Sequence, residues 1–249
     1  MSAIVARLRA AGCVFAEDEA RLLVAHAATA DDLARLVARR VDGEPLEYVL
    51  GWAEFYGLRI AIDPGVFVPR HRTEFLVGQA LAVTQPDAVV VDLCCGSGAL
   101  GAAVQASIPS VRIHAADIDP VAVACARRNV PAAAVYCGDL YDALPGRLRG
   151  RIDVLLANVP YVPTGEIDLM PAEAREHEAR VALDGGTDGL AVLARVAAGA
   201  ADWLAPGGSL FVETSRAQAP TGQAIFAAGR LRARIVEDDD GANVLIASR

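Results

Sequence analysis

From residue 89 onward, short runs of Val, Ile and Leu alternate with stretches of helical length, and this alternation restricts the fold more than any other feature of the chain. Strands are predicted over 89–93, 111–118, 133–136, 152–157 and 210–214. Helices are predicted between them over 99–106, 120–129, 188–204 and 217–228. Such an order implies an α/β fold of Rossmann-like type, a mostly parallel sheet enclosed between layers of helices. Asp119-Pro120 reads as an N-cap followed by proline at the first helical position, which fixes the start of the second crossover helix. Two last strands, 231–236 and 244–247, flank the turn-forming segment 238–243.

The front of the chain has a different texture. Residues 1–42 read as a small domain of short amphipathic helices, with Leu22, Leu23 and His26 on one stripe and Leu33, Leu36 and Val37 on another. A strand-like pattern over 47–62, interrupted by Gly51 and Gly57, makes residues 43–70 a β-hairpin linker, and a helix is expected over 73–83. The main domain then spans 71–249. Within it, the polar, proline-interrupted stretch 165–176 is the candidate active-site loop.

Charge and cysteine usage exclude several classes of function. A net charge of -8 argues against direct nucleic-acid binding, because neutralising phosphates needs clustered cations. Cys13, Cys94, Cys95, Cys125 and Cys137 form no C-x-x-C pair and leave an odd count. That fits neither a metal site nor a disulfide framework, and it points to a reducing cytoplasm. No apolar run approaches the roughly 20 residues of a membrane span.

The glycines locate a ligand. Val89-Val90-Val91 leads into Asp92-Leu93-Cys94-Cys95-Gly96-Ser97-Gly98, with a helix immediately after. Glycines at a strand-to-helix turn let a ligand approach the backbone and the helix N-terminus. Asp117, Ile118 and Asp119 close the next strand, where a carboxylate can accept from both hydroxyls of a ribose. Asp139 and Leu140 end the third strand, placed for an adenine amino group and its ring face. Residues 96–101 also spell the G-x-G-x-x-G of dinucleotide enzymes. Asp92 argues against that reading, since it would repel a pyrophosphate but suits the ammonium group of S-adenosyl-L-methionine.

The fourth strand delivers Asn158-Val159-Pro160-Tyr161 at its carboxyl end, the side of an open sheet where ligands bind. An amide nitrogen is a poor nucleophile because its lone pair is delocalised, so a site that methylates one must orient its NH2 group and stabilise the developing positive charge. The Asn158 carboxamide and the Val159 backbone carbonyl can accept from the two N–H bonds, with the Tyr161 ring against the planar target.

With these segments in this order, the chain resembles the HemK/PrmC family of protein-(glutamine-N5) methyltransferases, which act on peptide-chain release factors. The likeness runs over residues 44–249. It includes Glu44-Pro45-Leu46-Glu47-Tyr48, Val66-Phe67-Val68-Pro69-Arg70, Gly185-Gly186, Asp188-Gly189-Leu190, Glu213 and Gln218. The resemblance implies a seven-stranded sheet with an antiparallel last strand, and an N-terminal helical domain that helps to recognise a protein bearing the target glutamine. It further implies that Cys94, Cys95, Gly96, Ser97, Gly98, Asp117, Leu140 and Asn158 contact S-adenosyl-L-methionine. Residues 158–161 would hold the glutamine, and Arg70, Thr73 and Glu74 would shape its site.

The chain departs from the family pattern at Val159, where proline is usual, and at Cys94, where glycine is usual. Glu178-Ala179 replaces a Glu-Pro pair, and Arg72 puts a cation in place of an anion near the entrance. Val159 lacks proline's fixed φ, so the backbone acceptor is expected to be held more loosely. Two other readings share these motifs: methylation of an exocyclic amine such as that of adenine, and a silent protein that only binds the cofactor.

Overall fold

In the computed structural model, which describes residues 1–249, the chain begins with three helices, α1 (Ser2–Ala10), α2 (Ala16–His26) and α3 (Ala30–Val41). The Thr29 hydroxyl caps α3 by accepting from the Asp32 N–H at 3.1 Å. Leu8, Leu23, Leu36 and Val37 meet in a small separate core, whereas Leu22 and His26 face outward. Residues 47–50 are not strand. Tyr48, Val49 and Leu50 are buried by a fourth helix, α4 (Leu46–Leu50), which Gly51 ends in the left-handed conformation at φ 76°. A short apolar run does not reveal by itself which of the two periods it follows. The hairpin comes afterwards, β1 (Trp52–Phe55) paired antiparallel with β2 (Leu58–Ala61).

Helix α5 (Glu74–Leu81) leads into the sheet, whose strands are β3 (Val89–Leu93), β4 (Arg112–Asp117), β5 (Ala134–Cys137), β6 (Ile152–Ala157), β7 (Leu204–Thr214), β8 (Arg232–Glu237) and β9 (Asn243–Ser248). Their order is β5-β4-β3-β6-β7-β9-β8. The first five are mutually parallel, and β9 runs antiparallel to both of its neighbours. The crossovers are α6 (Ala99–Ser107), α7 (Pro120–Asn129), α8 (Ala172–His177), α9 (Ala191–Trp203) and α10 (Ala219–Ala228). Asp119 caps α7 through the Val121 N–H at 2.8 Å, with Pro120 next, as the Asp-Pro pair predicts.

Apart from Asp92, the central strand β3 is apolar, because it is buried on both faces. Val90 packs with Phe55, Leu76 and Phe211 on one side, and Val89, Val91 and Leu93 pack with Leu193, Val196 and Phe226 on the other. The chain moves outward from β3 to β5 and then returns to the opposite side of β3 as β6. That reversal opens a crevice at the carboxyl ends of β3 and β6, the position where ligands sit in open α/β sheets.

The stretch 165–176 is helical rather than loop, a 3-10 turn over Thr164–Leu169 followed by α8. Pro171, which signals a break inside a helix, here precedes one, where its missing N–H costs nothing. No helix is long and apolar enough to cross a membrane.

Candidate active site

A cavity of about 490 Å³ lies over the carboxyl ends of the central strands, within the ~300–1,000 Å³ usual for small-molecule sites. Its floor is the turn after β3. A Cβ added at Gly96 would meet nothing within 4 Å, so this glycine leaves open space on the cavity side, and its φ of 52° is one that larger residues resist. Asp117, at the end of β4, draws the turn inward. One carboxylate oxygen accepts from the Gly96 N–H at 2.8 Å and the other from the Asp119 N–H at 2.9 Å. Burial raises its pKa and these two amides oppose the rise. Each oxygen keeps a further lone pair for a hydroxyl. Ile118 and Leu140 add apolar wall, and Asp139 is held by Arg195 at 2.7 Å.

Asn158, Val159, Pro160 and Tyr161 line the same cavity. The Asn158 carboxamide makes no hydrogen bond within the protein, and it is not among the buried polar atoms left without a partner, so it is open to the cavity. The Val159 carbonyl likewise accepts from no protein donor. Valine in place of proline does not leave this backbone loose. The Val159 side chain is 1% exposed and packs into the core with Leu155, Leu193 and Val212, so burial fixes what the ring would otherwise fix.

The Pro160-Tyr161 backbone is braced from three sides. Gln218 donates through Nε2 to the carbonyls of Tyr161 and Asp188, both at 2.9 Å, while its Oε1 accepts from Ser215 at 2.7 Å. Gly185 and Gly189 press directly on the same backbone. A Cβ at Gly185 would lie 2.7 Å from the Pro160 oxygen, and one at Gly189 would collide with the Tyr161 carbonyl. The Tyr161 hydroxyl donates to Glu213 at 3.2 Å and accepts from Arg72. Burial pushes its pKa up to about 12, so it remains a neutral phenol.

Arg70 and Thr73 lie on the cavity wall. Arg70 pairs with both oxygens of buried Glu178, at 2.7 and 2.8 Å, and Thr73 donates to Glu213. Three residues singled out from the sequence stand outside the wall, among them Gly98, where a Cβ would meet Ala126 of α7 at 3.2 Å rather than the cavity. Glu74 instead accepts from the Tyr56 N–H at 2.9 Å and ties α5 to the hairpin. Asp92 is 1% exposed beneath the turn, with one oxygen on the Gly101 N–H at 3.0 Å and the other unpartnered. Desolvation raises its pKa to about 8. Sequence reasoning missed the bracing roles of Glu178, Arg195 and Gln218, and nothing in their spacing marks them, because each acts through a partner more than 50 residues away.

A release factor glutamine methyltransferase of Geobacter sulfurreducens is 38% identical over 195 residues, covering 77% of this chain and 68% of that protein. Its counterpart in Mycolicibacterium smegmatis is 37% identical over 235 residues, covering 86% and 82%. The chain belongs to the release factor glutamine methyltransferase family. Residues 57–193 of this family member match the methyltransferase small domain. A 4-amino-L-phenylalanine/4-methylamino-L-phenylalanine methyltransferase of Streptomyces pristinaespiralis is 36% identical over 203 residues, covering 77% and 68%. A methyltransferase structure from Pyrococcus furiosus, 16% identical, superposes with a TM-score of 0.59 over 86% of this chain and 98% of that one, and so supports the fold.

The methyl donor is S-adenosyl-L-methionine. The open space at Gly96, the Asp117 carboxylate and the Leu140 wall suit its nucleoside, and when bound it supplies an electrophilic methyl group on a sulfonium.

Proposed function

We propose that this methyltransferase acts on the side-chain amide nitrogen of a glutamine in a protein substrate, a peptide-chain release factor being the first candidate, and that it works in the cytoplasm. The observation that supports this reading is the pair of idle acceptors, the Asn158 carboxamide and the Val159 carbonyl, at the edge of the cofactor cavity. Two acceptors aimed at one NH2 group fix the plane of the amide and turn its nitrogen toward the methyl group. They also stabilise the positive charge that grows on that nitrogen. Tyr161, kept neutral, offers a ring face without adding a charge.

The test is transfer of labelled methyl from the cofactor to purified release factors, with the modified residue read by mass spectrometry. Asn158→Ala should lower kcat by roughly 10²–10³ while cofactor affinity stays within a few-fold. Methylation at any residue other than glutamine, or full activity in the Ala variant, would contradict the proposal.

A further inference from the structure

Resting on the reading that Asn158 and Val159 receive the target nitrogen, we propose that Arg72 selects substrates that carry a carboxylate close to that nitrogen. Arg72 lines the cavity beside Tyr161, and its side chain is 54% exposed. Nε donates to Glu213 at 3.0 Å and Nη2 to the Tyr161 hydroxyl, and the guanidinium carbon lies 5.8 Å from the centre of the Tyr161 ring. Nη1 has no partner in the protein. Glu213 beneath it is 3% exposed and also receives the Thr73 hydroxyl. The guanidinium is therefore fixed from below, with one edge left for something that enters from the cavity.

The distribution of charge around the cavity says what that is. Asp117, Asp119 and Asp139 belong to the ends of β4 and β5, the nucleoside side of the sheet. Glu173, the remaining acid on the wall, pairs with Arg40. Toward β6 and β7 the charged groups on the wall are Arg70 and Arg72, and their carboxylate partners Glu178 and Glu213 are sunk behind them. An entering group at this end meets guanidinium N–H donors, and the half-exposed Glu173 carboxylate on the wall is already held by Arg40. Guanidinium favours carboxylate by geometry as well as charge, and a fixed guanidinium loses little further entropy on pairing.

Short peptides with a central Gln and with Asp, Asn or Lys at each neighbouring position test this, together with free L-glutamine. Binding to the enzyme loaded with S-adenosylhomocysteine is measured by calorimetry, and methyl transfer separately by kinetics. Asp at one position should bind about tenfold tighter than Asn, should lower KM more than it changes kcat, and should lose its advantage at high salt. R72K, which keeps the charge but loses the fork held on Glu213 and Tyr161, should keep only part of the preference. R72Q/E213Q, which leaves no buried charge unpaired, should abolish it without loss of fold.

Equal or absent binding across the wild-type series, or an Asp preference that survives R72Q/E213Q, overturns the proposal. An Asp preference in binding with no methylation of Gln in any peptide upholds Arg72 and rejects glutamine as the target. L-glutamine binding as tightly as the Asp peptides identifies the carboxylate as that of a free amino acid, and weaker binding identifies it as an acidic side chain.

Discussion

Asp92 is a carboxylate in the middle of the protein with a single backbone N–H for company. Desolvation lifts its pKa to about 8, the Asp117 charge adds to the rise, and the Gly101 N–H opposes it. A group whose folded-state pKa lies above its unfolded value stabilises the fold when protonated. The contribution is complete near pH 4, declines as pH rises, and is gone once pH passes about 8. Asn can accept the same Gly101 bond without a charge, so Asp92→Asn should match the wild type at low pH and exceed it increasingly toward pH 8. The gap should grow at up to ~1.4 kcal/mol per pH unit. Chemical denaturation of both proteins at several pH values measures it, and parallel stability profiles would show that Asp92 stays ionised when folded. The same turn holds Cys94 at φ 54°, a conformation in which glycine is unstrained, and this accounts for the glycine that the family pattern has there.

The element that matters most is the backbone of residues 158–161, and it is held by segments distant in sequence. Gly189, at φ 75°, leaves room for the Tyr161 carbonyl and for Gln218. Gly189→Ala should therefore destabilise the protein by about 1–3 kcal/mol. In the fraction that folds, kcat should fall while cofactor affinity is retained, because the turn after β3 is untouched. Equilibrium unfolding and steady-state kinetics check the two halves of that statement. The order of strands and helices from residue 89 was legible because apolar runs of strand length and stretches of helical period are local properties. So was the cofactor turn, whose glycines and acids follow one another within 30 residues. Helix α4 was not, since one turn of Tyr48, Val49 and Leu50 is too short to show a period. Segment 165–176 misled because Pro171 marks equally a helix start and a helix break. The bracing of Tyr161 by Gln218, and of Arg70 by Glu178, depends on tertiary contacts that local patterns do not encode.

At the scale of the whole molecule, side chains of the N-terminal helices reach the cavity wall: the Tyr48 hydroxyl of α4 donates to the Val66 carbonyl at 2.7 Å, and Arg40 of α3 reaches α8. Arg40 is 6% exposed, and its guanidinium donates to Glu19 at 2.7 and 3.2 Å and to the Glu44 carbonyl at 3.1 Å. It also reaches Glu173 of α8 at 2.7 Å, and Glu173 lines the cavity. Removing a buried cation leaves its buried partner without compensation, so Arg40→Ala should cost about 3–5 kcal/mol. That loss alone would not separate the core of the helical unit from its contact with the wall. Arg40→Ala combined with Glu19→Gln removes the stranded charge and should recover much of the stability, yet the link to α8 stays cut. In that double variant, amide exchange should quicken over residues 164–177 but not in β3 or β6, and cofactor should bind several-fold more weakly. Unchanged exchange over 164–177 would mean that the wall stands without the helical unit, and that Arg40 serves only the packing of α2 against α3.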